Sequence, residues 1–151
     1  MPIDLIFNNF WLLFILSSVF NAFYLKIRSK KFIEQQPELQ EGYDKLFKGE
    51  LIYLNIPWVV AGIGTVFGGV PGFFSFFKPR DGNPFVLAFH VSIIILWILT
   101  IWWIYFQDGA EFLVKHPGVF NYDFKSPALV KVFFGVTLAC GIAAMISMWS
   151  L

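Results

Sequence analysis

Few side chains in this sequence can do chemistry, and their positions narrow what that chemistry can be. His90 lies five residues inside the apolar run that starts at Phe85. No Asp, Glu, Lys or Arg falls near the centre of any long apolar run, so His90 is the one candidate for acid–base work there. An ionisable group in such a setting is a functional candidate by default, and histidine titrates near neutrality. Counting the same depth along the first apolar run reaches Asn8 and Asn9. A cluster of Asn8, Asn9 and His90 would be a proton-sensitive or ligand-binding group. The simpler reading is an uncharged, hydrogen-bonded His90 that only holds helices together.

A second polar level falls at the other end of the runs. Ser17 and Asn21 share a face of the first run, and Asn55 reaches a comparable depth on the second. Glu50, Asp108, Glu111, Lys115 and His116 lie at the adjacent surface. Carboxylates beside a histidine are able to bind a metal, but Asp108, Glu111 and His116 match no established ligand spacing. Solvated helix ends are the plainer account.

Other chemistries are missing from the sequence. There is no Gly-x-Ser-x-Gly elbow, no His-Glu-x-x-His and no phosphate-binding loop. One cysteine, Cys140, excludes a disulfide within the chain and a zinc site of paired cysteines. It reads as a buried, inert thiol. Haem with two axial histidines fails on distance. His90 and His116 are 26 residues apart on what reads as one helix, about 39 Å at 1.5 Å per residue. The glycines between Gly62 and Gly72 follow no strand, so they do not make a dinucleotide fingerprint. No metal and no cofactor is expected.

The elements that hold these residues follow from composition. The 151 residues are 58% hydrophobic and 14% charged, with 20 Phe, 6 Trp and 5 Tyr. A soluble domain is closer to a quarter charged, and a chain this small cannot hide so much apolar surface within itself. The net charge of +1 and the scattered Lys and Arg exclude nucleic acid as a partner. The expected solvent is a lipid bilayer, and the first run is too long for a cleaved signal peptide.

A span needs about 20 apolar residues, and in lipid it must be helical. Four stretches qualify: residues 3–27, 51–77, 85–106 and 128–151. The expected fold is all-α, one transmembrane domain over 1–151 built as a four-helix bundle. Its connections are 28–50 and 107–127 on one side, and the turn Pro79–Pro84, rich in turn chemistry, on the other. With their flanks, the first and third connections carry nine basic residues (Lys26, Arg28, Lys30, Lys31, Lys45, Lys48, Lys115, Lys125 and Lys131) and the second only Lys78 and Arg80. The positive-inside rule then places the basic connections in the cytoplasm and both termini outside a plasma (inner) membrane.

Within 28–50, Leu39, Tyr43, Leu46, Phe47 and Leu51 share a helical face, with Glu41–Lys45 and Asp44–Lys48 at i,i+4. An amphipathic cytoplasmic helix is expected there, able to run on into the second span. Gly64, Gly68 and Gly72 recur every four residues, as do Gly135, Ala139, Ala143 and Ser147. Small residues so spaced let helices approach closely. Pro57 and Pro71 can kink the second span.

The leading functional expectation is a non-enzymatic assembly protein, scaffold or accessory subunit, oligomeric or part of a membrane complex. A small oligomeric channel or transporter is the alternative. A membrane enzyme or redox carrier using the Asp108, Glu111 and His116 group is the third.

Overall fold

The computed structural model describes residues 6–120 and 123–150. Among these the chain is all helix and turn, with no strand. The helices are α1 (Phe10–Gln35), α2 (Gln40–Tyr53), α3 (Ile56–Val66), α4 (Pro84–Phe106), α5 (Gly109–Lys115) and α6 (Pro127–Ser150). Short 3-10 turns occupy Pro37–Leu39, Phe73–Phe77 and Pro79–Asp81. Four stretches are long and apolar enough to cross a membrane: Phe10–Gln35, Pro37–Val66, Pro84–Phe106 and Pro127–Ser150. That suggests a multi-pass membrane protein.

Local chemistry sets the ends. Sequence alone stops the first span at Ile27, but α1 continues through the lysines to Gln35. A change from apolar to basic does not break a helix. Pro37 does, because it drives the residue before it out of the helical region; Gln36 has φ −140° and ψ 85°. Residues 3–5 of the expected span lie outside the described residues. The buried residues of α1 are Phe10, Ser18, Ala22, Leu25 and Ser29, one stripe at helical spacing.

The expected amphipathic helix is α2, which runs on toward α3 with an interruption at Leu54–Asn55. Pro57 explains the interruption. It has no N–H to give the Tyr53 carbonyl, and its ring crowds that carbonyl. The Asn55 amide then donates to the Leu51 carbonyl at 2.8 Å.

The second span does not reach Phe77 as a helix. It stops at Val66. Gly69 adopts φ +65°, a left-handed conformation that only glycine takes without strain. This lets the Val70 N–H return to the Gly64 carbonyl at 3.1 Å, closing the helix end. Pro71 follows, and Phe73–Phe77 folds back as a separate turn. The glycine stripe is therefore not one helical face. A Cβ on Gly64 or Gly68 would meet Phe85, and one on Gly72 would meet Asn8 and the Phe7 carbonyl. Gly64 lets the Phe85 Cβ on α4 come close, and Gly68 makes room for the Phe85 ring.

The expected third and fourth spans correspond to α4 and α6. Asn83 accepts the Phe85 N–H at 2.9 Å and Pro84 begins α4, a start set by capping chemistry. Asp108, at φ 54°, turns the chain between α4 and α5. His90 and His116 are therefore not on one helix.

Packing is concentrated at two ends. At one, Phe10, Ala61, Val70, Phe76, Val86 and Phe89 form a buried cluster. Phe73 and Phe76 set their rings edge-on to Phe10 at 4.9 and 5.6 Å, and Phe76 does the same to Phe89 at 5.2 Å. Phe85 to Phe89 is one turn, so the Phe73–Phe77 wedge reaches about 6 Å further along α4 than Gly68 does. At the other end Ile104, Ala110, Leu113 and Val130 form a second cluster, and Leu25, Leu39 and Tyr43 a third.

Candidate functional site

Between the α1–α2 hairpin and the α4–α6 side lies a cavity of about 1020 Å³. Its existence follows from where the two halves touch. At the Phe-rich end α3 packs on both α1 and α4. At the basic end α5 packs on α4 and α6, and the turn after α5 docks on the hairpin. Past the interruption before Pro57, α2 runs alongside α1 while α4 and α6 form the opposite wall. None of the Phe-rich cluster lines the space.

Its walls are mostly apolar, with the charged residues gathered at the basic end. Phe20 on α1, Leu54 just past the end of α2, and Leu96 and Leu99 on α4 line the end away from the charges, and Phe134 on α6 lines the basic end. Toward the basic end come Asn21, Tyr24 and Arg28 on α1, with Glu50 and Lys45 on α2. Trp102, Trp103 and Thr100 complete the α4 wall. Phe20 is 71% exposed, Tyr53 54% and Trp102 53%, so the rim is made of large, uncovered apolar rings.

Arg28 is held in place from two sides. Its Nη2 donates to the Val119 carbonyl at 3.0 Å, and its guanidinium sits 4.8 Å from the centre of the Tyr24 ring. Glu50 is near enough for Arg28 to act on its carboxyl electrostatically. Lys45 reaches Glu41 at 2.8 Å, but both side chains are largely exposed. Such a pair contributes little in water, so Lys45 is easily turned to another anion.

The floor of the cavity is a turn pinned by His116. Its Nδ1–H donates to the Phe112 carbonyl at 2.7 Å. The ring stacks on Phe112 at 4.1 Å and meets the Tyr43 ring edge-on at 5.1 Å. It lies against Gly42, where a Cβ would collide with the imidazole. The Tyr43 hydroxyl donates to the Pro117 carbonyl at 2.6 Å. Asp123 accepts the Gly118 N–H at 2.7 Å.

His90 serves the opposite end. The Trp149 indole N–H, which can only donate, points at His90 Nδ1 at 3.2 Å. Nδ1 must then accept, so Nε2 carries the hydrogen and donates to the Phe76 carbonyl at 2.8 Å. Met145 sulfur also packs on Nδ1, at 2.8 Å. His90 is 1% exposed and ties the wedge, α4 and α6 together.

The expected polar clusters are dispersed. Asn8 is exposed beside Gly72, Asn9 precedes α1, and neither is among the contacts of His90 just described. Asn21 lines the cavity. Asn55 sits at the helix interruption, its Oδ1 buried without a hydrogen-bond partner. Asp108 occupies the α4–α5 corner, Glu111 pairs with Lys131 at 3.5 Å, and His116 is buried against Gly42, Tyr43 and Phe112. Among the described residues no three His, Cys, Asp or Glu side chains converge to hold a metal. On α6, Gly135 faces the Tyr105 hydroxyl, while Ala139, Ala143 and Cys140 are exposed rather than buried.

Sequence reasoning missed Arg28, Lys45 and Glu50 as a group. It counted them as topology signals and helix ends. The available signal was their placement on two consecutive helices that must run antiparallel, with Tyr24 one turn before Arg28. Comparison with protein-family models, curated proteins and solved structures finds no match for this chain.

Proposed function

We propose that this is a non-enzymatic membrane protein that holds an amphiphilic ligand in the cavity between α1–α2 and α4–α6. One observation carries the reading: about 1020 Å³ of space with mostly apolar walls and a few polar side chains, among them Asn21, Thr100, Arg28 and Glu50. Ligand sites run to roughly 1,000 Å³ and combine apolar walls with a few placed polar groups. The excess of basic residues at the Arg28 end puts that end in the cytoplasm and both termini outside, in a plasma (inner) membrane. The cavity then falls in the cytoplasmic half of the bilayer. Its exposed rim rings, Phe20, Tyr53 and Trp102, face hydrocarbon, so the ligand arrives sideways from the lipid.

Filling the space tests this. Thr100→Trp places a bulky side chain on the α4 wall. The purified wild type is expected to retain bound amphiphile through detergent washing, by native mass spectrometry, and Thr100→Trp to lose it. Equal retention by folded samples of both would sink the proposal.

A second reading, assembly as a scaffold, accessory subunit or homo-oligomer, has its own support. Ala139, Cys140, Ala143 and Ser147 lie exposed on α6, a helix whose apolar stretch is only 11% buried. Small residues at this spacing suit close helix contact. Particle mass in mild detergent tests it, with Ala143→Leu expected to dissociate any assembly. The channel and enzyme readings draw less support. Phe10, Phe76 and Phe89 fill the far end of the path, and Asp108, Glu111 and His116 make separate contacts.

A further inference from the structure

We infer that the occupant of the cavity is an uncharged lipid whose polar end carries hydroxyl or carbonyl oxygens, seated against Asn21, Tyr53 and Thr100. The inference rests on the amphiphile reading above and adds the chemistry of the polar contact. The protein balances the charges of the wall for itself. Arg28 has its Nη2 on the Val119 carbonyl, its face on the Tyr24 ring and Glu50 near enough for the two charges to act on each other. Lys45 stands 2.8 Å from Glu41. An anion gained at Lys45 would replace that contact, not add one. A cation at Glu50 would meet Arg28. An uncharged occupant disturbs neither pair and brings no charge of its own to desolvate.

Three uncharged polar side chains of the wall are left over. Asn21 on α1, Tyr53 on α2 and Thr100 on α4 line the cavity, and none of their side chains makes a hydrogen bond to a described residue. Thr100 departs from the pattern of its own fold. The other two threonines, Thr65 and Thr137, each donate to the carbonyl four residues back at 2.9 Å, and Ser147 and Ser150 do the same on α6. Such a bond satisfies a helix hydroxyl in lipid. Thr100 makes none, so its hydroxyl is free for a ligand. Asn21 and Thr100 also share a depth. Phe10 and Phe89 both set their rings against Phe76 and Trp58. Asn21 and Thr100 lie eleven residues further along the same two helices, about 16 Å at 1.5 Å per residue. A carboxamide and two hydroxyls can each donate or accept, which suits ester, ketone or hydroxyl oxygens. An occupant made only of hydrocarbon would leave all three groups unpaired.

The test offers full-length protein in a neutral detergent an equimolar mixture of diacylglycerol, phosphatidylglycerol and phosphatidylcholine of matched chains, together with the hydrocarbon squalane. Retained adducts are counted by native mass spectrometry. Diacylglycerol is expected to be retained about tenfold over squalane, the ratio that one or two net hydrogen bonds supply, and ahead of both phospholipids. Thr100→Val exchanges the hydroxyl for a methyl group of the same size. It is expected to cut diacylglycerol retention about two- to tenfold and to leave squalane unchanged, while Thr100→Ser keeps the preference. Asn21→Leu is expected to act as Thr100→Val does. A preference for phosphatidylglycerol that Arg28→Gln removes would mean that charge is recognised, and would overturn the inference. Equal retention of diacylglycerol and squalane, or diacylglycerol retention unaltered in folded Thr100→Val and Asn21→Leu, would also overturn it and leave the amphiphile reading standing. Retention of every lipid unchanged in folded Thr100→Trp would overturn the amphiphile reading, and this inference with it.

Discussion

The imidazole of His116 occupies the space that a side chain at position 42 would fill. Gly42 is on α2 and His116 follows α5, so this contact, together with the Tyr43–Pro117 and Arg28–Val119 hydrogen bonds, joins the hairpin to the other half of the chain at the basic end. Gly42→Ala puts a methyl group into that ring. Overpacking of this kind costs about 1–3 kcal/mol, and the melting temperature in detergent is expected to fall. Gly49→Ala is the internal control. Its added Cβ meets only Tyr53 Cδ2, at 3.8 Å, so the gain in helix propensity is expected to leave stability unchanged or raise it by up to about 1 kcal/mol. Equal melting of the two variants would contradict the packing described.

His90 makes the corresponding tie at the Phe-rich end. His90→Phe leaves the Trp149 N–H without its acceptor and the Phe76 carbonyl without its donor. The stranded carbonyl of buried Phe76 costs about 1–3 kcal/mol, and the N–H of Trp149, a residue 44% exposed, costs less. His90→Gln keeps one donor and one acceptor and is expected to lose less. Thermal melting ranks the variants, and indole fluorescence reports whether the environment of Trp149 has changed.

Tyr43 ties the two segments that Gly42 and His116 join, by a hydrogen bond. Tyr43→Phe removes the donor to the Pro117 carbonyl. Loss of such a bond costs about 0.5–1.5 kcal/mol, and the melting temperature in detergent is expected to fall. Unchanged melting of Tyr43→Phe would refute the bond.

The proposed orientation is open to a direct check. In a Cys140→Ser background, Asp81→Cys is expected to react with a membrane-impermeant maleimide on intact cells. Glu38→Cys is expected to react only after the membrane is opened. The reverse pattern would invert the topology.

Much of the helix layout was legible in the sequence because it depends on local properties. The Asn83-Pro84 start of α4 is capping chemistry, and α6 is an unbroken apolar run. The second span was misjudged for a physical reason. Hydropathy sums over residues 51–77 without registering that Gly69 can take a left-handed conformation and end the helix at Val66. Phe73–Phe77 is as apolar as a helix would be, yet it folds back as a wedge. The first span erred the other way, since the lysines changed the polarity of α1 without ending it.

The candidate site was less legible still. His90 and His116 stood out by type, yet each turns out to be a tie between segments, with ring nitrogens engaged by Phe76, Trp149 and Phe112. The residues that line the cavity are ordinary by type. They matter because Pro57 interrupts one helix, the Phe wedge joins the halves at one end, and His116 with Gly42 joins them at the other. Apolar length and helix-stopping residues act over a few neighbours, so the sequence by itself determined that there are four long apolar helices and roughly where most of them end. Which polar groups meet, and that Arg28, Lys45 and Glu50 share one space with Phe20 and Leu96, depends on how each helix is rotated and interrupted against the others. Only the tertiary structure decided that, because rotation is set by side-chain contacts between residues far apart in the chain.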